Sequence, residues 1–507
     1  MRLNSLLTKA LAIGIIVVIP ARAPAITGVL PVDGDTLNYT HVLFQWDQLP
    51  GAVAYQLQIA IFDTTGGADP FASDPVVDIV DSTTLAIVTD SIGWAQEYTW
   101  RIRSINKSGG LGDWGEVNNF VVDSLPGTVP DYIITINDTS AYQPGLTMTN
   151  LTRDAVMLAV DMLGEPVFFV EWGTRNIHLS EILPNGNFLT TPVEITLDNE
   201  VLWEPPEDIH HGIISLPNGN FMALGREDTL GPIPAGPWSA QYDTAGMDSV
   251  IWRGDLLIEW DHAGNEIWRW SVFDHFSMID YDSIDFTEAF GRRYFDWTHA
   301  NALSYDPVED AIYMSVRHMD RITKIDHATG NVIWNMGKAM PSGDTRVGND
   351  LGFSHTHAIE YLGNGRMVLY DNGNRADPQI SRGLEIVVTE TALDTTAEIV
   401  WEYVLPESLY TQSQGDFDRL PNGNYLITAA NPTNRDLTAR IFEVAPDSSI
   451  VWSLRVGENG NRSMFASERF PGLYPLAFSM IQPALATGIA TPTIFVPSGA
   501  ASLEFKL

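Results

Sequence analysis

The chain has no cysteine among its 507 residues, which excludes disulfides, a thiolate zinc site and a cysteine nucleophile. Basic residues are scarce: 28 Lys and Arg stand against 64 Asp and Glu, a formal charge of −36. Nucleic acids and anionic membranes need a basic footprint, so this composition argues against both as partners. Long apolar runs are missing too. Ala10–Ile19 is too short to span a bilayer comfortably. Arg2 and Lys9 precede its end and the small residues Ala23-Pro24-Ala25 follow it, so residues 1–25 read as a secretory signal cleaved before Ile26. No cysteine follows that could carry a lipoprotein anchor. Export to the periplasm or beyond, with no membrane insertion after cleavage, is the expectation.

What is present is β-pattern. The length suggests two or three domains, and 45% hydrophobic residues suffice for a buried core. Residues 26–123 alternate apolar and polar positions, as at Tyr55, Leu57 and Ile59, between turns of Gly, Asp and Pro. Trp46, the Pro50-Gly51-Ala52-x-x-Tyr55 entry and Tyr98-Thr99-Trp100-Arg101 resemble a fibronectin type III sandwich. Such a unit serves as spacer, buttress or binding module. Residues 124–130 (SLPGTVP) read as a linker.

From residue 131 to about 475 the chain repeats itself. One ladder is a strand-ending tryptophan: Trp172, Trp203, Trp268, Trp334, Trp401 and Trp452. A second is a hairpin beginning at His178, His211, His357 and Gly415, whose Asn-Gly pair suits a tight turn with both residues at positive φ. The hairpin beginning at His299 uses YDPVED as its turn, and residues 296–337 read as one complete four-stranded meander. No helical periodicity intervenes. The fold class is therefore all-β: a six-bladed β-propeller preceded by a small β-sandwich, with seven blades left open by irregular spacing. The long segment 226–296, with GPIPAGP, is expected to lay loops over one face. Residues 476–507 are a C-terminal extension with short strands in PTIFVP and ASLEFKL.

The hairpin ladder also places chemistry. Equivalent positions on equivalent repeats point the same way, so His178, His211, His299 and His357 should line one mouth of a central channel. A lone strand histidine is usually structural; several at one repeat offset are not. Arg317 follows His299 by eighteen residues and ends the paired strand. A guanidinium among neutral imidazoles repels a metal and attracts an oxyanion, unless it is spent in a salt bridge. No HExxH occurs, and no metal or other cofactor is expected. The acidic run Asp280–Asp285 reads as a solvated loop rather than a calcium site. A non-catalytic propeller for adhesion or scaffolding, and a histidine-cluster metalloenzyme, remain alternatives.

DWTHANALSYDP, the following Ser-Val-Arg, KIDHATGNVIWNMG, SHTHAIEYLGNG, YDNGNR and SERFPGLYP resemble the arylsulfotransferase family, over residues 146–475. The resemblance implies a six-bladed propeller that moves a sulfuryl group from a phenolic sulfate ester to a phenol. It implies no nucleotide donor, and a sulfohistidine intermediate. On this resemblance His357 is the nucleophile, His299, Arg317 and His211 complete the catalytic set, and Asn301 pairs with His299. His210 competes with His211. Where many members carry glutamine before the nucleophile this chain has Thr356, preceded by His355. His178, His355 and Arg375 are further candidates for holding substrate, whose class would be phenolic sulfates and phenols.

Overall fold

The structure, a computed structural model, describes residues 26–62, 69–72, 75–173, 177–344, 347–392, 394–458, 462–475, 477, 479–481 and 493–495. The expected signal segment 1–25 and the strand ASLEFKL lie outside them. Strand formation at Thr493–Phe495, paired with Ser479–Ile481, falls within PTIFVP. The described residues are all-β in character, and no helix among them is long and apolar enough to cross a membrane.

Residues 26–122 form a three-stranded and a five-stranded sheet. The alternation read from the sequence buries one face of each. Phe44 and Trp46, Tyr55 and Leu57, and Trp100 and Ile102 share one core, where Phe44 meets Trp100 edge-on at 5.3 Å. That core does not stop at the unit's edge. Asn38 Nδ2 donates to the Phe169 carbonyl at 2.7 Å, Trp94 Nε1 to that of Pro166 at 3.1 Å, and Tyr474 Oη to that of His41 at 2.7 Å. The N-terminal unit is thus seated on the sheets that follow.

Those sheets are six, each built on a run of consecutive antiparallel strands, the third with Tyr294–Asp296 added in parallel beside Ser249–Trp260. The first comprises Leu146–Leu151, Val156–Val160 and Pro166–Glu171, with Ser467–Phe470 from the other end of the chain on its inner edge. The second runs from His178 to Trp203, the third from His210 to Ser271, the fourth from Ala300 to Gly337, the fifth from His357 to Val404 and the sixth from Asp416 to Val456. Tyr132–Asn137 adds to the outer edge of the sixth. The first strand of each sheet lies beside that of the next, and Tyr425–Ala429 of the sixth meets Ser467–Phe470 of the first. The sequence of neighbours closes on itself.

Both ladders have physical causes. The tryptophans occupy or directly follow outer strands, and four of them reach the next sheet, while Trp334 packs on Tyr313 of its own sheet at 5.9 Å. Trp203 packs on Phe221 at 4.7 Å, Trp268 on His327 at 5.0 Å and Trp401 on Tyr425 at 3.7 Å, while Trp452 Nε1 donates to the Met162 carbonyl. The Pro-Asn-Gly-Asn turns feed buried carboxylates. Asn185 and Asn187 both donate to Glu194, Asn218 and Asn220 to Glu259, and Asn422 and Asn424 to Glu443. In the fifth sheet, which has no such asparagine pair, Arg366 pairs with Glu385 instead. An unpaired buried carboxylate would be costly, so each turn sequence is tied to a residue two strands away.

Three expectations need correction. Only glycine takes positive φ in the Pro-Asn-Gly turns (86° at Gly186 and Gly219, 90° at Gly423), because proline holds the preceding turn position at negative φ. In the fifth sheet both Asn364 and Gly365 are positive, at 54° and 74°. Second, the segment 226–296 is not chiefly loop: Phe221–Pro232 and Ser249–Trp260 continue as one long hairpin, with short helices after it. Its polar residues pair across the strands, Arg253 with Asp228, instead of marking a break. Third, Asp280–Asp285 is not a solvated loop. Asp280 and Asp282 are buried, Asp280 against Arg321 and Ser342, Asp282 against Arg375.

The inner strands of all six sheets surround a channel of about 1010 Å³. Glu181, Glu360, Asp416, Asp418 and Glu468 line it. Burial pushes the carboxyls of Glu360, Asp416, Asp418 and Glu468 upward, and for Glu360, Asp418 and Glu468 the charge of neighbouring carboxylates adds to the effect. A folded value above the unfolded one means that the folded channel keeps protons which the unfolded chain releases. The stability this contributes is full at low pH and lost as pH rises. Glu468→Gln is therefore expected to raise Tm at about pH 8 and to leave it nearly unchanged at about pH 4, read by calorimetry.

Candidate active site

The inner strands begin at one end of the channel, and there the backbone is distorted in the same way in several sheets. The pairing register shifts between His210 and Ile213, between Ala300 and Ala302, and between His357 and Ile359. Non-glycine residues take left-handed φ there: His211 at 57°, His299 at 47°, His355 at 55° and Ala358 at 50°. Such bulges re-aim side chains and cost free energy, which surrounding contacts must offset. Their product is a cluster of seven of the chain's eleven histidines. His211 and His299 meet at 5.0 Å between ring centres, His299 stacks on His318 at 4.6 Å, and Phe465 stands among His178, His211 and His357.

His357 is buried and both ring nitrogens are engaged. Nδ1 lies 2.6 Å from Asn372 Oδ1, and the backbone N–H of Gln414 donates to Nε2 at 3.1 Å. Asn372 is itself oriented, because its Nδ2 donates to the carbonyls of Thr411 and Gln414, each at 2.9 Å. Its oxygen must therefore face His357, which fixes the proton on Nδ1 and the lone pair on Nε2. Burial, then the charge of Arg317, holds this imidazole well below its ordinary value, so it is neutral.

His211 is neutral for the same first reason, burial, reinforced by His299, His210 and His357. Its Nδ1 lies 2.8 Å from Nδ1 of His210, whose Nε2 faces the Gly225 carbonyl at 3.0 Å and Asp255 at 3.1 Å. Nε2 of His210 therefore carries a proton. A His210 that accepts at Nδ1 takes the Nδ1–H of His211 and leaves the His211 lone pair on Nε2. His210 is turned outward as the support, and His211 faces His299. The His211 carbonyl accepts from His178 Nε2 at 2.7 Å and from Thr191 Oγ1 at 2.9 Å, which pins its left-handed backbone. His178 is thus a backbone anchor, and burial lowers it to about 4.

His299 turns Nδ1 to Asp296 at 2.7 Å, and the carboxylate sits below its usual value because this histidine outweighs the effect of burial. Asn301 Nδ2 donates to the Thr356 carbonyl at 2.8 Å, while its buried Oδ1 has no hydrogen-bond partner among the described residues. Arg317 lies in a turn just past its strand, not within it. It donates to the Gln412 carbonyl at 3.2 Å, forms no ion pair among the described residues, and keeps a buried, unpartnered Nε. The salt-bridge alternative for this residue is not what the structure shows.

Two expected substrate contacts are otherwise engaged. Arg375 is bound by Asp282 and Asp320, two buried carboxylates, so no donor charge is left over for an anion. His355 sits between Asp320 at 3.0 Å and Asp285 at 3.6 Å, which raise its pKa against the effect of burial. Sequence reasoning also passed over His318, Asp296, Asn372, Gln414 and Phe465. Asp296 and Asn372 stand inside the quoted DWTHAN and YDNGNR stretches; nothing local marks the other three.

Metal ligation has two geometric openings among the described residues: Asp296, His299 and His318, and Asp282, Asp285 and His355. In each, part of the donor set is already spent on hydrogen bonds, and the Arg317 charge bears on His318 and His355. A cation in either place would meet that charge at low dielectric.

Comparison with known proteins gives one firm result. The sequence matches the arylsulfotransferase (ASST) family over residues 142–462, more than half of the chain. The chain belongs to the arylsulfotransferase family, and with it to proteins of sulfuryl transfer acting on small phenolic substrates. No curated protein matches it. Among solved structures, an auxiliary nutrient binding protein from Bacteroides ovatus is 10% identical, with 88% of this chain and 91% of that one covered at a TM-score of 0.32. The dihydro-heme d1 dehydrogenase NirN is 9% identical, covering 68% and 83% at 0.29. Likeness at this level says nothing further about this chain.

The role of Asn372 can be checked directly. Asn372→Ala is expected to abolish the single Nδ1–H tautomer of His357, seen in the ¹⁵N shifts of labelled histidine. It is also expected to lower kcat roughly 10–100-fold with little change in KM, as loss of an orienting partner does.

Proposed function

We propose that this protein is an exported aryl sulfate sulfotransferase that works by a ping-pong mechanism through a sulfohistidine at His357. The observation that carries the reading is the convergence of a neutral, tautomer-fixed imidazole with an arginine that has no carboxylate partner among the described residues. The six meanders are, in this reading, blades of a six-bladed propeller, closed by Ser467–Phe470, and the two N-terminal sheets are a fibronectin type III-like buttress. A signal peptide at residues 1–25 would be confirmed by a mature N-terminus at Ile26 and refuted by an intact Met1.

In the first half-reaction Nε2 of His357 attacks sulfur in line. The N–S bond forms as the S–O(aryl) bond breaks, and the electron pair leaves on the phenolate. A phenol, with pKa about 10, leaves far more readily than an alcohol, which is why aryl esters are the donors. The Gln414 N–H marks the direction of the lone pair, so the sulfur must arrive in place of that contact. Arg317 holds sulfuryl oxygens as charge redistributes, with His299 beside it; positioning and charge stabilisation do most of the work in such transfers. In the second half-reaction Nε2 of His211 takes the proton of an acceptor phenol. Its oxygen attacks sulfur, and the N–S pair returns to His357. The chain supplies every group these steps use.

A chromogenic phenyl sulfate, assayed with and without a phenol acceptor, tests this. Acceptor-dependent phenolate release is expected, falling by about three orders of magnitude or more in His357→Ala. Equal turnover in that variant would refute the assignment of the nucleophile. Because burial and Arg317 depress the His357 value, the competent neutral form survives as pH falls through 6.5 and is lost only well below it. The donor half-reaction should accordingly show no loss of rate near pH 6.5, measured as the burst of phenolate at successive pH values.

A further inference from the structure

Phe465 belongs to no strand; it precedes Ser467–Phe470, the strand that the end of the chain contributes to the first sheet. Its backbone is fixed on both sides: its N–H donates to Asn150 Oδ1 at 2.7 Å, and its carbonyl accepts from Gly415 N–H at 3.1 Å. Its ring lies nearly parallel to His178 at 4.2 Å and contacts His211 at 5.8 Å and His357 at 6.5 Å, side chains from three different sheets. Phe465, His178, His211 and Asn301 line the 1010 Å³ channel, whereas His299, Arg317 and His357 do not. The ring therefore stands on the boundary between the reactive end and a channel lined with carboxylates. A cavity of this size with five carboxyl groups on its wall holds water.

We propose that Phe465 is the barrier that keeps channel water from the sulfohistidine and so decides transfer over hydrolysis. This rests on the sulfohistidine reading above. While an aryl group occupies the mouth, the open side of the new N–S bond is covered, and the remaining route for water is from the channel. Without the ring, a water oxygen would attack sulfur, the N–S bond would break with its electron pair returning to Nε2 of His357, and the water's proton would pass to an ionised channel carboxylate. The product would be inorganic sulfate in place of a new aryl ester. Asp416 and Glu360 stand in that channel as acceptors, which makes the separation matter more. Phe465 is a specificity-determining residue in this scheme, since it takes no part in the bond changes themselves.

The test compares wild type with Phe465→Ala and the more conservative Phe465→Leu, using 4-nitrophenyl sulfate with phenol as acceptor. Free sulfate and phenyl sulfate are quantified together. Phe465→Ala is expected to raise the ratio of sulfate to phenyl sulfate about tenfold or more, with Phe465→Leu between it and wild type, as loss of water exclusion predicts. An unchanged ratio with only the donor KM altered would make the ring a binding platform and overturn the proposal. A second readout needs no turnover: deuterium exchange at imidazole C2, followed by mass spectrometry, should quicken at His178 and His357 when the ring is shortened. Unchanged exchange would overturn the barrier even if the wild type acted on no aryl sulfate, an outcome that would count separately against the proposed activity. Should Phe465→Ala not fold, Phe465→Leu alone decides both measurements by the same signs.

Discussion

The contact on which the rest depends is the reach of outer-strand tryptophans onto the following sheet. Trp203 on Phe221, Trp268 on His327 and Trp401 on Tyr425 are the same event repeated, and Trp452 carries it back to the first sheet through the Met162 carbonyl. A large ring buried between two sheets contributes apolar area and fixes their spacing at once. With the spacing fixed outside, the inner strands converge, and their first residues face one another. The Asn-Gly-Asn turns serve the same end. By satisfying Glu194, Glu259 and Glu443 they hold the second and third strands of their sheets to the turn, so the inner strand starts at a defined height.

Convergence alone would give a ring of interchangeable histidines. What separates them is the partner behind each. Asn372, locked by two carbonyls, sets the tautomer of His357; Asp255 through His210 sets that of His211; Asp296 sets that of His299. Three similar rings thereby present different faces to one small space. Burial keeps His357 and His211 uncharged, as the proposed nucleophile and base both need, and Arg317 is a positive charge without an ion-pair partner among the described residues.

The repeats were legible because they are enforced by packing: a tryptophan lost from its ladder would open a gap between sheets, and a turn glycine has no substitute at φ near 86°. Strand alternation carried the same information for the N-terminal unit. The site was legible only in part. His211, His299 and His357 occupy repeat positions, so counting from the turns found them, and Arg317 was found as the end of the strand paired with that of His299. The bulges that aim them were not readable, since a bulge is a mismatch between two strands and neither strand alone records it. His355 and Arg375 read as free donors because their partners, Asp285, Asp282 and Asp320, lie 35 to 93 residues away. Phe465 carried no signal at all: a phenylalanine before a closing strand is ordinary until the ring of sheets puts three histidines around it.

Strain and open hydrogen-bonding capacity gather at the axis. The outer strands hold stacked rings and paired carboxylates, although Trp203 and Trp334 each keep a buried Nε1 without a partner among the described residues. At the axis His211, His299 and Ala358 take left-handed backbone, Arg317 Nε, Asn301 Oδ1 and Asp418 Oδ2 lack partners among the described residues, and several channel carboxyls are pushed toward their protonated forms. Each of these costs free energy in a single sheet, and none would persist in an isolated meander. They persist because six sheets share the cost of one axis. A sulfuryl group arriving there would meet donors whose hydrogen-bonding capacity has been left open in advance, so little reorganisation is needed when charge shifts from one oxygen to another.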